Sequence, residues 1–267
     1  MLFHAQNARL CTDRMEMDYI RFGTGEKTLV MIPGVGDGLK TVRGTALPFA
    51  LLYRALTRDF TVYVFSRRND LPAHYTTEQM ADDQAAAMRA LGLANANVLG
   101  VSQGGMIAQH LAIRHPELVQ KLVLAVTMAR PNETVERVIG NWLAMARRGD
   151  YKAIMLDTAK RSYSPQYLRR RLPFYTLLGS VGKPRSFARF ITQAESCLQH
   201  DAYALLPQIT CPTLVLGGTD DQIVTAAASE EIASQVPGSS LCLYKGLGHG
   251  LYEESRDFLP RVAAFFS

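Results

Sequence analysis

Short apolar runs alternate along the chain with longer segments in which apolar residues recur every three or four positions. Short runs bounded by turn residues are typical of buried strands, and the longer recurrence is typical of amphipathic helices. The strand-like runs are Thr28–Ile32, Thr61–Phe65, Asn97–Leu99, Lys121–Val126, Thr213–Leu216 and Ser240–Tyr244. Helices are predicted at Leu47–Thr57, Thr77–Leu91, Gln103–His115, Thr225–Gln235 and Ser255–Phe266. This alternation predicts an α/β protein with a mostly parallel central sheet and helices on both faces.

The alternation breaks after Val126, where the pattern becomes helical only. Apolar residues at i, i+3, i+4, i+7 and i+8 indicate a first helix, and they are Val135, Val138, Ile139, Trp142 and Leu143. Further helices are indicated after Gly149-Asp150, from Ser164-Pro165 and over Phe187–Leu198. We therefore predict a core made of residues 1–127 and 209–267, with residues 128–208 inserted as an all-helical cap over the site.

The segment Gly100-Val101-Ser102-Gln103-Gly104 places a serine between a predicted strand and a predicted helix. This order describes a sharp turn that exposes the Ser102 hydroxyl at the carboxyl end of a buried strand. Glycine is needed at 100 and 104 because strand and helix cross so closely that a Cβ would clash. A glycine-flanked serine is common by chance, but this context makes Ser102 a candidate nucleophile.

An acid and a histidine follow downstream, each just after a predicted strand. Asp220 and Asp221 follow the next-to-last strand, and His249 follows the last one. A serine, an acid and a histidine in this chain order are typical of one catalytic design. In that design His249 would remove the Ser102 proton, and a carboxylate would orient the imidazole.

Three motifs carry a resemblance to a known family, and they are Gly100–Gly104, Cys211–Asp221 and Gly248-His249. Over nearly its whole length the chain resembles the α/β-hydrolase fold family. Aligning the family's strand and its G-x-x-D turn with this sequence implies that Asp221 is the acid. Asp220 is the alternative, and Glu133 is a remote third choice.

The oxyanion of a tetrahedral intermediate needs two donors. The backbone N–H of Gln103 would be one, because Gln103 follows the serine at the start of a helix. The resemblance implies the N–H of Val35 as the second, in the turn Pro33–Gly38. The family more often has His-Gly in place of Pro33-Gly34, and commonly has an Asp and a Gly-rich turn where this chain has the loop Ser66–Pro72.

These features imply a serine hydrolase that cleaves a small-molecule ester, thioester or lactone through an acyl-enzyme on Ser102, most simply a carboxylesterase. Neither a metal nor an organic cofactor is expected. The same triad could instead serve acyl transfer, carbon–carbon bond hydrolysis or cofactor-free perhydrolysis, because fold and triad alone do not separate these reactions. An alternative of another class is a ligand-binding receptor that retains a nearly inert triad.

Positive charge is concentrated in the predicted cap. Residues 129–208 contain 13 lysines and arginines and 6 acidic residues, a net charge of +7, whereas the whole chain has +5. This charge would attract an acidic substrate if it faced the site. Arg169, Arg170 and Arg171 are successive helical residues that spread over about 200°, which favours a solvated outer face. No aromatic-interleaved basic motif indicates a nucleic acid partner.

The 267-residue chain is 48% apolar and 20% charged, as expected of an ordinary globular protein with an ample core. Its N-terminal residues lack the pattern of a secretory signal, and no apolar stretch is long enough to span a bilayer. Cys11, Cys197, Cys211 and Cys242 show no metal-ligand spacing, so reduced thiols are expected. These features predict a cytoplasmic enzyme and leave its oligomeric state open.

Overall fold

The central feature of the fold is one eight-stranded sheet. The computed structural model describes residues 2–171 and 182–267, and within them the strands are β1 Gln6–Cys11, β2 Glu16–Phe22, β3 Lys27–Ile32, β4 Phe60–Arg68, β5 Ala96–Val101, β6 Val119–Ala125, β7 Thr213–Gly218 and β8 Ser240–Tyr244. Their order in the sheet is β1-β2-β4-β3-β5-β6-β7-β8. The pairs β1/β2 and β2/β4 are antiparallel, and the other neighbouring pairs are parallel. The predicted α/β class with a mostly parallel sheet is therefore confirmed.

Helices cover both faces of this sheet. They are α1 Ala46–Leu52, α2 Thr77–Ala90, α3 Gln103–Arg114, α4 Glu133–Arg147, α5 Tyr151–Ser162, α7 Ala188–Gln199, α8 Ala226–Gln235, α9 Leu251–Glu254 and α10 Phe258–Phe266, while residues 165–171 are the described part of α6. Successive strand side chains point to opposite faces. In β3, Val30 and Ile32 pack in a buried cluster with α2 and α3. Leu29 and Met31 pack in a second cluster with α1 and α10. Both faces of the parallel part are therefore buried.

The two N-terminal strands are not predicted by the apolar pattern. β1 lies at the edge of the sheet and is largely exposed, so its sequence has no apolar face to reveal it. In β2 the buried Asp18 interrupts the apolar alternation, and the strand register shifts between Met17 and Tyr19. Asp18 is accommodated there because its Oδ1 accepts a hydrogen bond from Arg9 Nε at 2.9 Å.

Helix α1 is shorter than predicted, because it ends at Leu52 instead of continuing to Thr57. A 3₁₀ turn, Arg54–Leu56, follows it. Tyr53 and Leu56 are both buried, and a 3₁₀ turn directs residues three positions apart to the same side.

The last predicted helix is divided in two. The short helix α9 ends at Glu254, and α10 begins only at Phe258. Ser255 between them has extended backbone angles, and its Oγ accepts a hydrogen bond from the Asp257 N–H at 3.2 Å. The extended residue prevents one continuous helix over this segment.

Between β6 and β7 the described elements are helices only, α4 to α7 and a 3₁₀ turn at Tyr203–Gln208. Asn132 caps α4, since its Oδ1 accepts the Val135 N–H at 3.0 Å. Asp150 caps α5 by accepting the Ala153 N–H at 3.0 Å, as the sequence predicts.

The segment 133–199 is called the helical insertion below. Its apolar faces form a buried cluster with Met106 of α3 and with Val224, which follows β7. The insertion therefore packs on the core beside α3. Its status as a cap domain with the predicted bounds remains a prediction.

Two histidines are buried near the point where the helical insertion rejoins the core. His200 Nδ1 is hydrogen bonded to Thr77 Oγ1 at 2.9 Å, and the His200 and His110 rings lie 5.2 Å apart between centroids. Burial, together with the neighbouring His110, lowers the pKa of His200 to about 3. The folded protein therefore holds His200 neutral.

This burial makes stability fall in mild acid. An unfolded histidine takes up a proton below about pH 6.5, whereas folded His200 does not until near pH 3, so each intervening pH unit should cost up to about 1.4 kcal/mol of unfolding free energy. His200→Asn should flatten this slope, measured by urea unfolding at pH 7.5 and 5.0. The exposed His4→Asn is the control. An unchanged slope in His200→Asn would contradict the prediction.

Candidate active site

Ser102 lies in a strained turn that separates β5 from α3. Its backbone has φ 55° and ψ −121°. Such angles cost a non-glycine residue about 1–3 kcal/mol, so the surrounding structure must hold them. A Cβ at Gly100 would lie 2.5 Å from the Gly104 carbonyl oxygen, and one at Gly104 would lie 1.9 Å from the Ile32 carbonyl oxygen. The close crossing of strand and helix thus requires both glycines, as the sequence predicts.

Asp221 and His249 form a buried hydrogen-bonded pair. His249 Nδ1–H donates to Asp221 Oδ2 at 2.8 Å. Asp221 follows β7 in a turn, where its Oδ1 accepts the N–H groups of Ile223 at 2.8 Å and Val224 at 3.0 Å. These bonds fix the carboxylate, and the carboxylate fixes the imidazole with its proton on Nδ1.

The electrostatics of the pair keep Asp221 ionised. Burial alone would raise the pKa of the Asp221 carboxyl, but the adjacent His249 and the two backbone N–H donors hold it below its usual range. The Asp221 carboxylate can therefore stabilise a positive charge on His249 at neutral pH.

The other two candidate acids do not contact His249. Asp220 is exposed, and its Oδ1 accepts a hydrogen bond from Thr219 Oγ1 at 2.8 Å. Glu133 is exposed at the start of α4. Of the three candidate acids, Asp221 is the one that is hydrogen bonded to His249 among the described residues.

The turn that carries His249 contacts the helical insertion. The Gly250 N–H donates to the Ser162 carbonyl oxygen at the end of α5, at 2.7 Å. A Cβ at Gly248 would lie 2.8 Å from the same oxygen. The glycines on either side of His249 therefore allow the insertion to pack directly on this turn.

Ser102 lies against the turn that contains Val35. A Cβ at Gly34 would be 3.2 Å from the Ser102 Cβ and 3.6 Å from its Oγ. Ser102, Asp221 and His249 follow β5, β7 and β8, whose carboxyl ends meet at one edge of the sheet. Within the part of the chain that the structure describes, Ser102 Oγ has no hydrogen bond to His249. The structure thus joins two of the three predicted residues directly and brings the third to the same edge.

Val35 and Gln103 each begin a helix. Val35 starts a 3₁₀ turn, Val35–Gly38, and Gln103 starts α3. The first N–H of a helix has no acceptor within it. Neither N–H donates to another described residue, so both are free to bind an anion at this edge of the sheet.

The fold and the site now allow a comparison with known proteins. Residues 27–255 match the family model described as the alpha/beta hydrolase fold. The chain belongs to the alpha/beta hydrolase family. A candidate carbamate hydrolase of Caulobacter vibrioides, RutD, is 26% identical over 238 residues, which covers 85% of this chain and 84% of that protein.

Solved structures share the fold of this chain. A hydrolase from Pseudomonas aeruginosa PA01 has a TM-score of 0.82 at 24% identity and covers 98% of both chains. The enol-lactonase from Burkholderia xenovorans LB400 has a TM-score of 0.82 at 22% identity, over 97% of this chain and 99% of that one. These similarities establish the architecture across nearly the whole hydrolase.

Residues 2–171 and 182–267 contain neither a metal-binding cluster nor a membrane-spanning helix. No three His, Cys, Asp or Glu side chains in these ranges come together as a metal site. No helix in the same ranges is long and apolar enough to cross a membrane. Cys11, Cys197, Cys211 and Cys242 are not joined by disulfides in the described structure.

A buried arginine next to the site is missed by the sequence analysis. The expected loop Ser66–Pro72 does not begin at Ser66, because β4 of the hydrolase continues through Arg68. Arg67 is fully buried there. A buried guanidinium needs hydrogen bonds, and Arg67 Nη2 donates to the Pro33 carbonyl oxygen at 2.6 Å and to Gln103 Oε1 at 2.8 Å. The one feature of the sequence that could have indicated Arg67 is a charged residue placed shortly after an apolar strand.

A cavity of about 400 Å³ lies beside this site. Gly34, which contacts Ser102, and Val101 are part of its wall. Most of the remaining wall is apolar and includes Val42, Phe49, Leu52 and Val64. Its size lies within the range of small-molecule sites, about 300–1,000 Å³.

Proposed function

We propose that this hydrolase cleaves carboxylic esters or lactones through an acyl-enzyme on Ser102. The observation that supports the proposal most directly is the buried Asp221–His249 hydrogen bond, at the sheet edge that carries Ser102. A structural turn would not need a buried carboxylate that holds an imidazole in one tautomer. The strained backbone of Ser102 supports the same conclusion.

The proposed reaction has two halves. Ser102 Oγ attacks the acyl carbon while His249 Nε2 takes its proton, and Asp221 stabilises the resulting imidazolium. The N–H groups of Val35 and Gln103 bind the oxyanion. His249 then gives the proton to the leaving oxygen, and the bond between that oxygen and the acyl carbon breaks. In the second half, His249 Nε2 takes a proton from a water that attacks the acyl carbon. The bond between that carbon and Ser102 Oγ then breaks, His249 returns the proton to Oγ, and the acid is released.

The helical insertion is proposed to act as the cap of this site. It contacts the His249 turn through Ser162, and α7 packs on the Val35–Gly38 turn. The apolar cavity beside Ser102 would hold an uncharged part of the substrate. By their names, two of the similar proteins act on a carbamate and an enol lactone. Both compounds contain a carbonyl carbon bonded to a heteroatom, as an ester does.

Labelling with a fluorophosphonate tests the proposal. The probe phosphonylates a serine only where a base and an oxyanion site activate it. Intact mass and peptide mapping should show one adduct on Ser102 in the native protein and none after heat denaturation. Absence of labelling at Ser102 would contradict the proposal and would favour a receptor with an inert triad.

The size of the cavity should set the preferred acyl-chain length, and substitution of one side chain in its wall should change that length. Val42 is buried in the wall of the cavity. Val42→Phe should therefore reduce the length of acyl chain that the cavity can hold, and Val42→Ala should increase it. For p-nitrophenyl esters from acetate to long acyl chains, we expect kcat/KM of Val42→Phe to fall about tenfold for the longer chains relative to acetate. Val42→Ala should shift the optimum in the opposite direction. Identical length profiles in both variants would exclude this cavity as the acyl site.

A further inference from the structure

Arg67 contacts both segments that carry the free N–H groups. Its Nη2 donates to the Pro33 carbonyl oxygen, two residues before Val35, and to the side chain of Gln103 itself. One buried group therefore bridges the turn after β3 and the start of α3. A change in the position of this group would change the distance between the two N–H donors.

The Val35 turn is also held from its other end. Asp37, in the same 3₁₀ turn, is buried, and its Oδ2 accepts hydrogen bonds from the Arg67 N–H at 3.3 Å, Arg189 Nη2 at 2.7 Å and Gln193 Nε2 at 3.0 Å. Burial alone would raise the pKa of Asp37, but the charges of Arg67 and Arg189 hold it below its usual range. Asp37 is thus a carboxylate that ties the turn to β4 and to α7.

The side chain of Gln103 uses both of its polar atoms. Its Oε1 accepts from Arg67, while its Nε2 donates to the Gln193 carbonyl oxygen at 2.6 Å and to Ser196 Oγ at 3.0 Å. Gln193 and Ser196 belong to α7 of the helical insertion. Both N–H segments, β4 and the insertion therefore share one buried network.

Burial of Arg67 costs free energy of folding, so a role in stability alone does not explain it well. Its Nε and Nη1 are buried without a hydrogen-bond partner among the described residues. Replacing a whole buried ion pair by apolar side chains often costs no stability, so the charge pairing of Arg67 with Asp37 does not by itself explain a buried arginine here. Within the described part of the chain, Arg67 thus leaves the donors of two of its three nitrogens unpaired, and its burial is better explained by what Nη2 positions.

We propose that Arg67 is a positioning residue that sets the spacing of the Val35 and Gln103 N–H groups, with α7 of the insertion holding the same network through Arg189. This inference rests on the proposed function, because it assigns those two N–H groups to an oxyanion. Stabilisation of an oxyanion depends on donors held in place before the reaction, whereas ground-state binding of the substrate does not. Loss of the bridge should therefore lower kcat more than it changes KM.

The test uses Arg67→Lys, which keeps the charge but ends one bond short of Nη2, the atom that donates to both the Pro33 and the Gln103 oxygens. We expect kcat for p-nitrophenyl butyrate to fall about 10- to 1,000-fold, up to the loss caused by removing one oxyanion donor, with KM changed less than about threefold. The Ki of a trifluoromethyl ketone, which forms a tetrahedral oxyanion on Ser102, should rise in the same proportion. The Ki of the matching methyl ketone should change little. Arg130→Lys, in an exposed ion pair with Glu231, is the matched control.

A second variant keeps the test decisive if Arg67→Lys does not fold. Gln103→Met removes the same bridge from its other end and should give the same pattern in kcat and in both Ki values. If both single variants fold, the double variant should lose no more than the larger single loss, because one bridge is removed twice.

The outcomes separate this inference from the proposed function. If the wild-type protein is not labelled at Ser102 by the fluorophosphonate, the proposed function fails. If the wild type is labelled and the folded Arg67→Lys and Gln103→Met variants react at the wild-type rate, only the positioning role of Arg67 fails. Equal changes in KM and kcat with an unchanged ketone Ki would likewise assign Arg67 a structural role.

Discussion

Replacing Ser102 by alanine is expected to lower kcat about 10⁴- to 10⁶-fold and to leave the protein folded. The hydroxyl supplies the attacking oxygen, and no other side chain in the strained turn can replace it. The remaining rate enhancement in Ser102→Ala would come from substrate binding and from the two backbone N–H donors. The backbone strain at φ 55° affects alanine as it affects serine, so the substitution isolates the hydroxyl.

Turnover of a p-nitrophenyl ester and the far-ultraviolet circular dichroism spectrum check this result together. Ser234→Ala, on the exposed side of α8, is the matched control and should keep wild-type activity. A Ser102→Ala variant that keeps more than a tenth of wild-type kcat would contradict the assignment of the nucleophile. Loss of the native spectrum would be equally at odds with the expectation that the hydroxyl is not needed for folding.

Asp221→Asn is expected to lower kcat about 10⁴-fold, whereas Asp220→Asn should lower it less than tenfold. The Asp221 carboxylate accepts the His249 Nδ1–H and two backbone N–H groups. An amide can present its NH₂ group to the ring, which would favour the tautomer with its proton on Nε2, and that nitrogen must be free to take the Ser102 proton.

Asp220 provides the control for this prediction because it is the adjacent residue and undergoes the same chemical change. It is exposed, and its hydrogen bond is to Thr219. The comparison is made as kcat at a pH on the plateau of the wild-type profile. The reverse ranking would move the acid to Asp220, and equal small losses would remove the carboxylate from the mechanism.

The sequence predicts the parts of the site that depend on strand ends. Parallel strands place their carboxyl ends at one edge, so Ser102, Asp221 and His249 are found there from chain order alone. The choice between Asp220 and Asp221 depends on the turn after β7. Only in the folded turn does Asp221 cap the Ile223 and Val224 N–H groups and become buried.

The network around Arg67 could not be predicted in the same way. Its members are far apart in the sequence: Arg67 and Gln103 are separated by 36 positions, and Gln103 and Gln193 by 90. No local pattern specifies such partners. A charged residue after an apolar run usually marks the end of a strand at the surface. Arg67 is instead buried within the strand, because residues distant in the sequence accept hydrogen bonds from its guanidinium.

The hydrogen bond from the Gly250 N–H to the Ser162 carbonyl oxygen limits which segments of this chain can be exchanged. Exchange of residues 133–199 for the corresponding segment of a relative would be the obvious way to transplant substrate specificity. Such a chimera would also replace the carbonyl oxygen that supports the His249 turn. It would remove the Arg189 partner of Asp37 as well. An exchange of this segment would therefore also disturb the His249 turn and the buried network. A useful graft must keep the backbone position of residue 162 and the side chains of Arg189 and Gln193.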